Sequence, residues 1–239
     1  MTDEITDPRD RLLDAALLHV PFDGWSDATL RAAARDVDLS VEAARALFPR
    51  GGVDMALAFH RRGDARLRAR LEREPLDGMR FRDRVMTAVR WRIEMIESRE
   101  AVRRGTALLA LPHHAADSTQ ALWETADHIW TALGDRSDDI NWYTKRATLS
   151  AVYGATVLYW LGDDSPEQRD SWAFLDRRIE DVMRIETAKA RMRSNPVLMR
   201  ALAGPIWALS RVRAPRGIGR TDLPGRRFGP GQGGTRRGF

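Results

Sequence analysis

Between Ala147 and Leu161 the chain runs for 15 residues without a charge, ATLSAVYGATVLYWL. A bilayer-spanning helix needs roughly 20 apolar residues, so this run is too short, and Ser150, Gly154 and Thr156 interrupt it. It also lacks the period-two alternation of a half-buried strand. It reads as a helix, with Leu149, Val152, Tyr153, Thr156 and Trp160 at helical spacing, that other elements must bury on several sides. A chain of 239 residues is long enough to build that cover around one good core.

The rest of the body follows the same period. Ala, Leu, Arg and Glu dominate, and no segment combines alternation with turn pairs. Helices are predicted over 9–20, 27–36, 40–47, 52–73, 79–97, 99–111, 116–133, 139–162, 166–192 and 196–212. Breakers separate them: Pro21 and Gly24, Pro49 to Gly52, Pro75 with Gly78, Pro112, Gly134, Gly162 to Pro166, and Pro196. The predicted fold is all-α, a bundle of about nine helices followed by a C-terminal amphipathic one. Beyond Pro215 the chain is rich in Gly, Pro and Arg with almost nothing to bury, and disorder is expected there.

With no cysteine, disulfides and thiolate metal sites are excluded. The acidic N-terminus shows no signal or basic transit peptide, so a cytoplasmic protein is expected, and the use of Arg over Lys points to a GC-rich bacterial source. The net charge of +5 conceals an asymmetry. From Ala190 to Phe239 there are 11 arginines against one acid, Asp222, a net of +10, which leaves −5 for the other 189 residues. An anionic partner is therefore expected at one end only.

Residues 9–52 pack Leu12, Ala15 and Ala16 on one face, Leu30, Ala33 and Ala34 on a second, and Ala44, Leu47 and Phe48 on a third. This resembles the helix-turn-helix of the TetR transcription-regulator family. Operator binding needs positive surface. Over residues 10–49, four arginines stand against seven acids, a net of −3. The candidate recognition helix, SVEAARAL, carries Glu42 near its start and no Lys, Tyr, Asn or Gln to read bases. A retained helical scaffold is expected rather than a DNA-binding module, with a ligand-responsive regulator as the alternative.

The stretch GDRSDDINWYTKR, Gly134 to Arg146, opens with crowded acids. A calcium loop starting at Asp135 would place Ile140 where glycine is needed and Arg146 where the closing glutamate belongs, so that reading fails. Helix capping by Ser137 or Asp138 accounts for the acids. It does not account for Trp142 beside Tyr143. Adjacent helical positions point about 100° apart, so at least one of these rings is expected outside the core.

Asp127, Trp130, Gly134-Asp135, Ser137, Asp139, Asn141-Trp142-Tyr143-Thr144, Arg146, Trp172 and Phe174-Leu175 together resemble the Coq-nine family of lipid-binding accessory proteins in ubiquinone biosynthesis. The likeness runs without gaps over about residues 121–185. It implies a TetR-like helical fold without DNA binding, an isoprenoid lipid or quinone precursor in an apolar cavity, and a homodimer. It also implies a surface patch for the demethoxyubiquinone hydroxylase, carried over to Asp127, Ile129, Trp142, Tyr143 and Arg146. His128 stands where the family commonly has another acid.

Helical spacing nominates Met86, Val89, Ile93, Leu108, Trp123, Tyr153, Val157, Trp160 and Phe174 for the cavity. At the C-terminus Leu198, Leu202, Ile206 and Leu209 share one helical side, Arg200 and Arg211 lie nearly opposite, and Trp207 projects at the rim. With the +10 tail, this is expected to lie on an anionic membrane surface, peripheral at the inner membrane. The expected organisation is a helix-turn-helix-like module over 1–50, a lipid-binding and dimerisation domain over 51–193, a membrane helix over 194–213 and a tail over 214–239. Glu124 and His128 stand one helical turn apart, but a di-iron bundle needs a second Glu-x-x-His copy and further carboxylates, which the chain lacks. No nucleotide loop or nucleophile motif appears, so a binding protein without catalytic residues, metal or cofactor beyond its lipid is expected.

Overall fold

The computed structural model describes residues 7–135, 137 and 140–193. The expected membrane helix with Leu198, Arg200, Leu202, Ile206, Trp207, Leu209 and Arg211 lies outside the described residues, as do the tail, the capping candidate Asp138 and the neighbouring Asp139. The described residues form nine α-helices and no strand: α1 (Pro8–Asp23), α2 (Asp27–Asp36), α3 (Val41–Leu47), α4 (Gly52–Arg73), α5 (Phe81–Glu94), α6 (Arg99–Leu109), α7 (Ala115–Ala132), α8 (Ile140–Leu161) and α9 (Arg169–Arg193).

Local chemistry sets many of the ends. Asp7 accepts from the Arg9 amide and Pro8 occupies the first position of α1. Ser26, Ser40 and Ser98 each accept a backbone amide three residues on, from Thr29, Ala43 and Ala101, and so start α2, α3 and α6. Gly134, at φ +80, lets the Asp135 amide turn back to the Trp130 carbonyl and closes α7. Three expected boundaries are off by three residues: α5 stops at Glu94, α9 starts at Arg169, and α1 runs through Pro21 to Asp23. The proline stands one turn from the helix end and removes little hydrogen bonding there, while Val20 just before it is fully buried.

Two cores result. The first joins α1, α2, α3 and the start of α4 around Leu12, Leu13, Val20, Trp25, Leu30, Phe48 and Met55. Full burial of a side chain such as Phe48 contributes roughly 1.5–3 kcal/mol. The second joins the end of α4 with α5, α7, α8 and α9 around Leu67, Leu71, Val89, Ile93, Ile129, Leu149, Val152, Trp160, Leu175 and Ile179. The 22 residues of α4, about 33 Å long, take part in both cores and tie them together. Trp25 bonds the first core to α6 by donating its indole N–H to the Ala101 carbonyl at 2.9 Å.

The uncharged run lies in α8. Leu149, Val152, Tyr153, Thr156 and Trp160 are all buried, as their spacing predicts. Cover on several sides was too strong an expectation. Leu158 is 60% exposed, and Tyr159, 40% exposed, stacks its ring on Phe174 of α9 at 4.6 Å. The helix is covered on one broad face, and its uncharged outer face carries apolar surface.

Candidate functional site

Small residues on four helices leave space between the two cores. Ala56 and Gly63 of α4, Ala101 and Gly105 of α6, Ala121 of α7, and Ala151, Gly154 and Ala155 of α8 line a cavity of about 440 Å³. That lies within the roughly 300–1,000 Å³ of small-molecule sites. Larger apolar side chains, including Trp25, Phe59, Met95, Ile96, Leu109, Leu122 and Val157, complete the walls. An added Cβ at Gly154 would approach Leu122 Cδ1 to 3.3 Å, tight enough that Leu122 would have to give by a few tenths of an ångström.

One wall is polar and was not anticipated from the sequence. Arg92 of α5 donates through Nε to Asp64 Oδ1 at 2.7 Å, and through Nη2 to the His60 carbonyl at 2.8 Å. Both side chains of the Arg92–Asp64 pair are almost wholly buried, at 4% and 1% exposure. Thr125 donates to the Asp64 carboxylate at 2.9 Å, and His60 Nε2 lies 2.8 Å from the Thr125 hydroxyl. His128 Nδ1 stands 3.8 Å from Asp64, inside electrostatic range but beyond hydrogen-bond reach. Burial alone would raise the Asp64 pKa, but His60, His128 and Arg92 overcome it and hold the carboxyl lowered. Burial lowers the His60 pKa, which keeps the imidazole neutral near pH 7. Tyr153 completes the wall, its ring 5.7 Å below the Arg92 guanidinium and edge-on to His60 at 6.3 Å. Burial pushes the Tyr153 hydroxyl up to about 12, so it is a neutral donor.

Of the residues nominated for the cavity, Tyr153 and Val157 line it. Val89, Ile93 and Trp160 are buried in the second core, and Met86 packs against that core. Leu108 packs against the first core, Trp123 meets Trp142 and Tyr143, and Phe174 stacks on Tyr159. The physical reason is general. Spacing marks which face is buried, but a cavity forms where the buried residues are small.

The aromatic end of α8 is tied down by the acids that precede it. Arg146, 2% exposed, donates to Asp127 at 2.6 Å and to Asp135 at 3.0 Å, with its guanidinium 4.1 Å over the Trp142 ring. Lys145 donates to Asp135 at 2.8 Å and to Ser137 at 2.7 Å. Burial would raise the Asp135 pKa, but Lys145, Ser137 and Arg146 bring it down to about 2. The Trp142 and Tyr143 rings meet edge to face at 4.8 Å, and both reach Trp123, at 5.8 and 6.2 Å. Trp123 is broad enough to touch both, but only Trp142 is buried; Tyr143 stays half-buried, so one of the two adjacent rings lies outside the core. Ile129, Trp142 and Arg146 are buried; Asp127 and Tyr143 are half-buried. A surface at this end is offered by Asp127 and Tyr143, with the other three beneath it.

Glu124 and His128 turn to different partners. Glu124 accepts from Arg61 at 3.1 Å and Gln120 at 2.7 Å, while His128 faces Asp64. In the amino-terminal module Arg45 is held by Asp27 at 2.8 Å, and His19 lies against Asp36 at 2.6 Å.

The family model described as COQ9 matches residues 115–186. The Ubiquinone biosynthesis protein COQ9, mitochondrial, of Rattus norvegicus is 35% identical over 214 residues, covering 84% of this chain and 67% of that protein. The Homo sapiens protein of the same name is 34% identical over 214 residues, covering 84% and 66%. In Dictyostelium discoideum the Probable ubiquinone biosynthesis protein coq9, mitochondrial, is 27% identical over 185 residues, covering 73% and 59%. This chain thus spans about two thirds of the length of the mammalian proteins. A bacterial source, expected from the arginine usage, gains no support from these mitochondrial proteins of eukaryotes. Among solved structures, the TetR transcriptional regulator from Nitrosomonas europaea ATCC 19718 superposes with a TM-score of 0.60 at 19% identity, covering 72% of this chain and 95% of that one. That likeness establishes a TetR-like fold.

Proposed function

The chain belongs to the COQ9 family, and from that premise we propose that it serves ubiquinone biosynthesis as a lipid-binding accessory protein. It takes an isoprenoid quinone precursor into its cavity and presents it to the demethoxyubiquinone hydroxylase. The carrying observation is the 440 Å³ cavity between α4, α6, α7 and α8, lined mostly by apolar side chains, with the polar wall of Arg92, His60 and Tyr153 and the paired charges of Arg62, Arg66 and Glu97 as its polar parts. A polyisoprenoid precursor partitions into the bilayer while its ring must reach a polar active site. A cavity of this size takes the ring and the start of its tail, and the remainder stays with the membrane.

No helix among the described residues is long and apolar enough to cross a membrane, so membrane contact in this reading is peripheral and falls to residues 194–239. The hydroxylase meets the end of α7 and α8 through Asp127 and Tyr143, which Ile129, Trp142 and Arg146 hold in place. Homodimerisation buries apolar surface of α8 around the exposed Tyr159, next to Leu158 at the rim of the cavity. The regulator alternative is disfavoured by the net −3 of residues 10–49 and by Asp27 already holding Arg45.

Native mass spectrometry of the full chain, expressed in a ubiquinone-producing host, tests the proposal. Isoprenoid lipid bound at near-stoichiometric level is expected. Protein that flies bare, and that extracts no ubiquinone from vesicles, refutes it.

A further inference from the structure

Two hydrogen-bond donors among the residues that line the cavity, Arg92 Nη1 and the Tyr153 hydroxyl, make no hydrogen bond within the described protein. Arg92 uses Nε on Asp64 and Nη2 on the His60 carbonyl, and its Nη1 makes no hydrogen bond among the described residues. The Tyr153 hydroxyl makes none either, although the residue is 3% exposed and lines the cavity. Neither atom is sealed inside the protein; each keeps access to the cavity, where an incoming acceptor can reach it. Two such donors, set within one cavity with the Arg92 guanidinium 5.7 Å from the Tyr153 ring, are arranged for an oxygen acceptor that arrives with the ligand.

The charge on this wall decides which acceptor. Arg92 is compensated by Asp64 at 2.7 Å. His60, with its pKa lowered by burial, adds no charge, and Tyr153 stays protonated. Thr125 supplies only a hydroxyl already bonded to Asp64. The wall is net neutral, and the other charged residues that line the cavity, Arg62, Arg66 and Glu97, are paired with one another and with Asp14. An anion placed here would find the lining arginines already neutralised by carboxylates, with no surplus positive charge to offset its desolvation. A carbonyl, methoxyl or phenol oxygen suffers no such penalty.

We infer that Tyr153 and Arg92 Nη1 read the head group of the cargo, donating to a neutral ring oxygen, and that the cavity thereby selects quinone-type heads over isoprenyl phosphates. This rests on the lipid-binding function proposed above and names the residues that give it specificity. Gly63 is part of the same device. A Cβ there would meet the Arg92 guanidinium at 2.6 Å, so glycine is what lets that group lie against α4 beside the cavity.

The experiment compares full-length wild type with Tyr153→Phe, titrated with a short-tailed ubiquinone, geranylgeranyl diphosphate and squalene, and followed by tryptophan fluorescence, since Trp25 lines the cavity. Tyr153→Phe removes one oxygen and leaves the packing in place. It is expected to weaken ubiquinone binding roughly 2- to 12-fold, leave squalene binding unchanged, and leave Tm unchanged or slightly higher. Wild type is expected to prefer ubiquinone to the diphosphate. Equal ubiquinone affinity in the two proteins overturns the inference, as does tighter wild-type binding of the diphosphate. A clear fall in Tm overturns it too, because the hydroxyl would then have an internal partner. Failure of wild type to bind either ubiquinone or squalene sinks the lipid-binding proposal itself, a result distinct from the others.

Discussion

Gly63→Ala sets two effects of opposite sign against each other, and the structure says which wins. Gly63 lies within α4, between Arg62 and Asp64. By helix propensity alone, alanine there should stabilise by about 1 kcal/mol. The new Cβ, however, would lie 2.6 Å from Arg92 Cζ and Nη1 and 2.7 Å from Nη2. A guanidinium is the far end of a flexible side chain and normally moves aside cheaply. This one is pinned by Asp64 and the His60 carbonyl and is 4% exposed, so moving it breaks a buried ion pair. Breaking such a pair costs about 3–5 kcal/mol. The net expectation is destabilisation by about 2–4 kcal/mol. At 2–4 °C per kcal/mol for a chain of this size, Tm falls by about 4–16 °C. Urea denaturation should show the loss in midpoint with the slope m unchanged. In an Arg92→Met background the obstacle is gone, and the same Gly63→Ala change should be neutral or stabilising. That difference gives a coupling of at least about 2 kcal/mol. If Gly63→Ala in the wild-type chain matches or exceeds wild-type stability, the Arg92 guanidinium is not held where it is described and the reasoning fails.

At the aromatic end, Trp142→Ala should cost about 3–5 kcal/mol by urea denaturation, while Tyr143→Ala should cost about 1 kcal/mol; pull-down with the hydroxylase should then weaken for Tyr143→Ala while its circular dichroism stays helical. Asp135 has its pKa depressed to about 2 from an ordinary 3.8, so its contribution is fully present above about pH 4 and is lost as pH falls through about 2. Asp64 is also depressed and titrates in the same direction. The measurement is therefore the stability difference between wild type and Asp135→Asn, expected to be clear at pH 6 and to shrink toward pH 2; a gap independent of pH contradicts the ion-pair assignment. Removal of residues 195–239 should abolish binding to anionic liposomes in a sedimentation assay, since basic residues near such a surface contribute roughly 1 kcal/mol each; undiminished binding places the membrane contact elsewhere.

Much of this protein is local, and its sequence carries it. Serines at 26, 40 and 98, Pro8, and Gly134 each act on backbone groups within a few residues, so helix starts and stops are written beside the helices they bound. The buried face of α8 follows from its spacing for the same reason. Asp127, Trp142 and Arg146 stand out as a pattern of residue types, and that pattern carries the family likeness. What that pattern does in space was not legible. Arg146 reaches Asp127 on α7, and Trp142 lies buried against Trp123, because α7 and α8 pack together. The cavity is less legible still. It is made of absences, at Ala56, Gly63, Gly105, Ala121 and Gly154, which come from four helices and mean nothing one helix at a time. The polar wall needs Asp64 of α4, Arg92 of α5, Thr125 of α7 and Tyr153 of α8 in one place. His60 and Asp64, one turn apart on α4, offered a faint signal as polar residues among Leu57, Leu67 and Leu71. Only the packing of the helices decides that a charge there is paired, and that an arginine nitrogen and a tyrosine hydroxyl are left over to face the cavity.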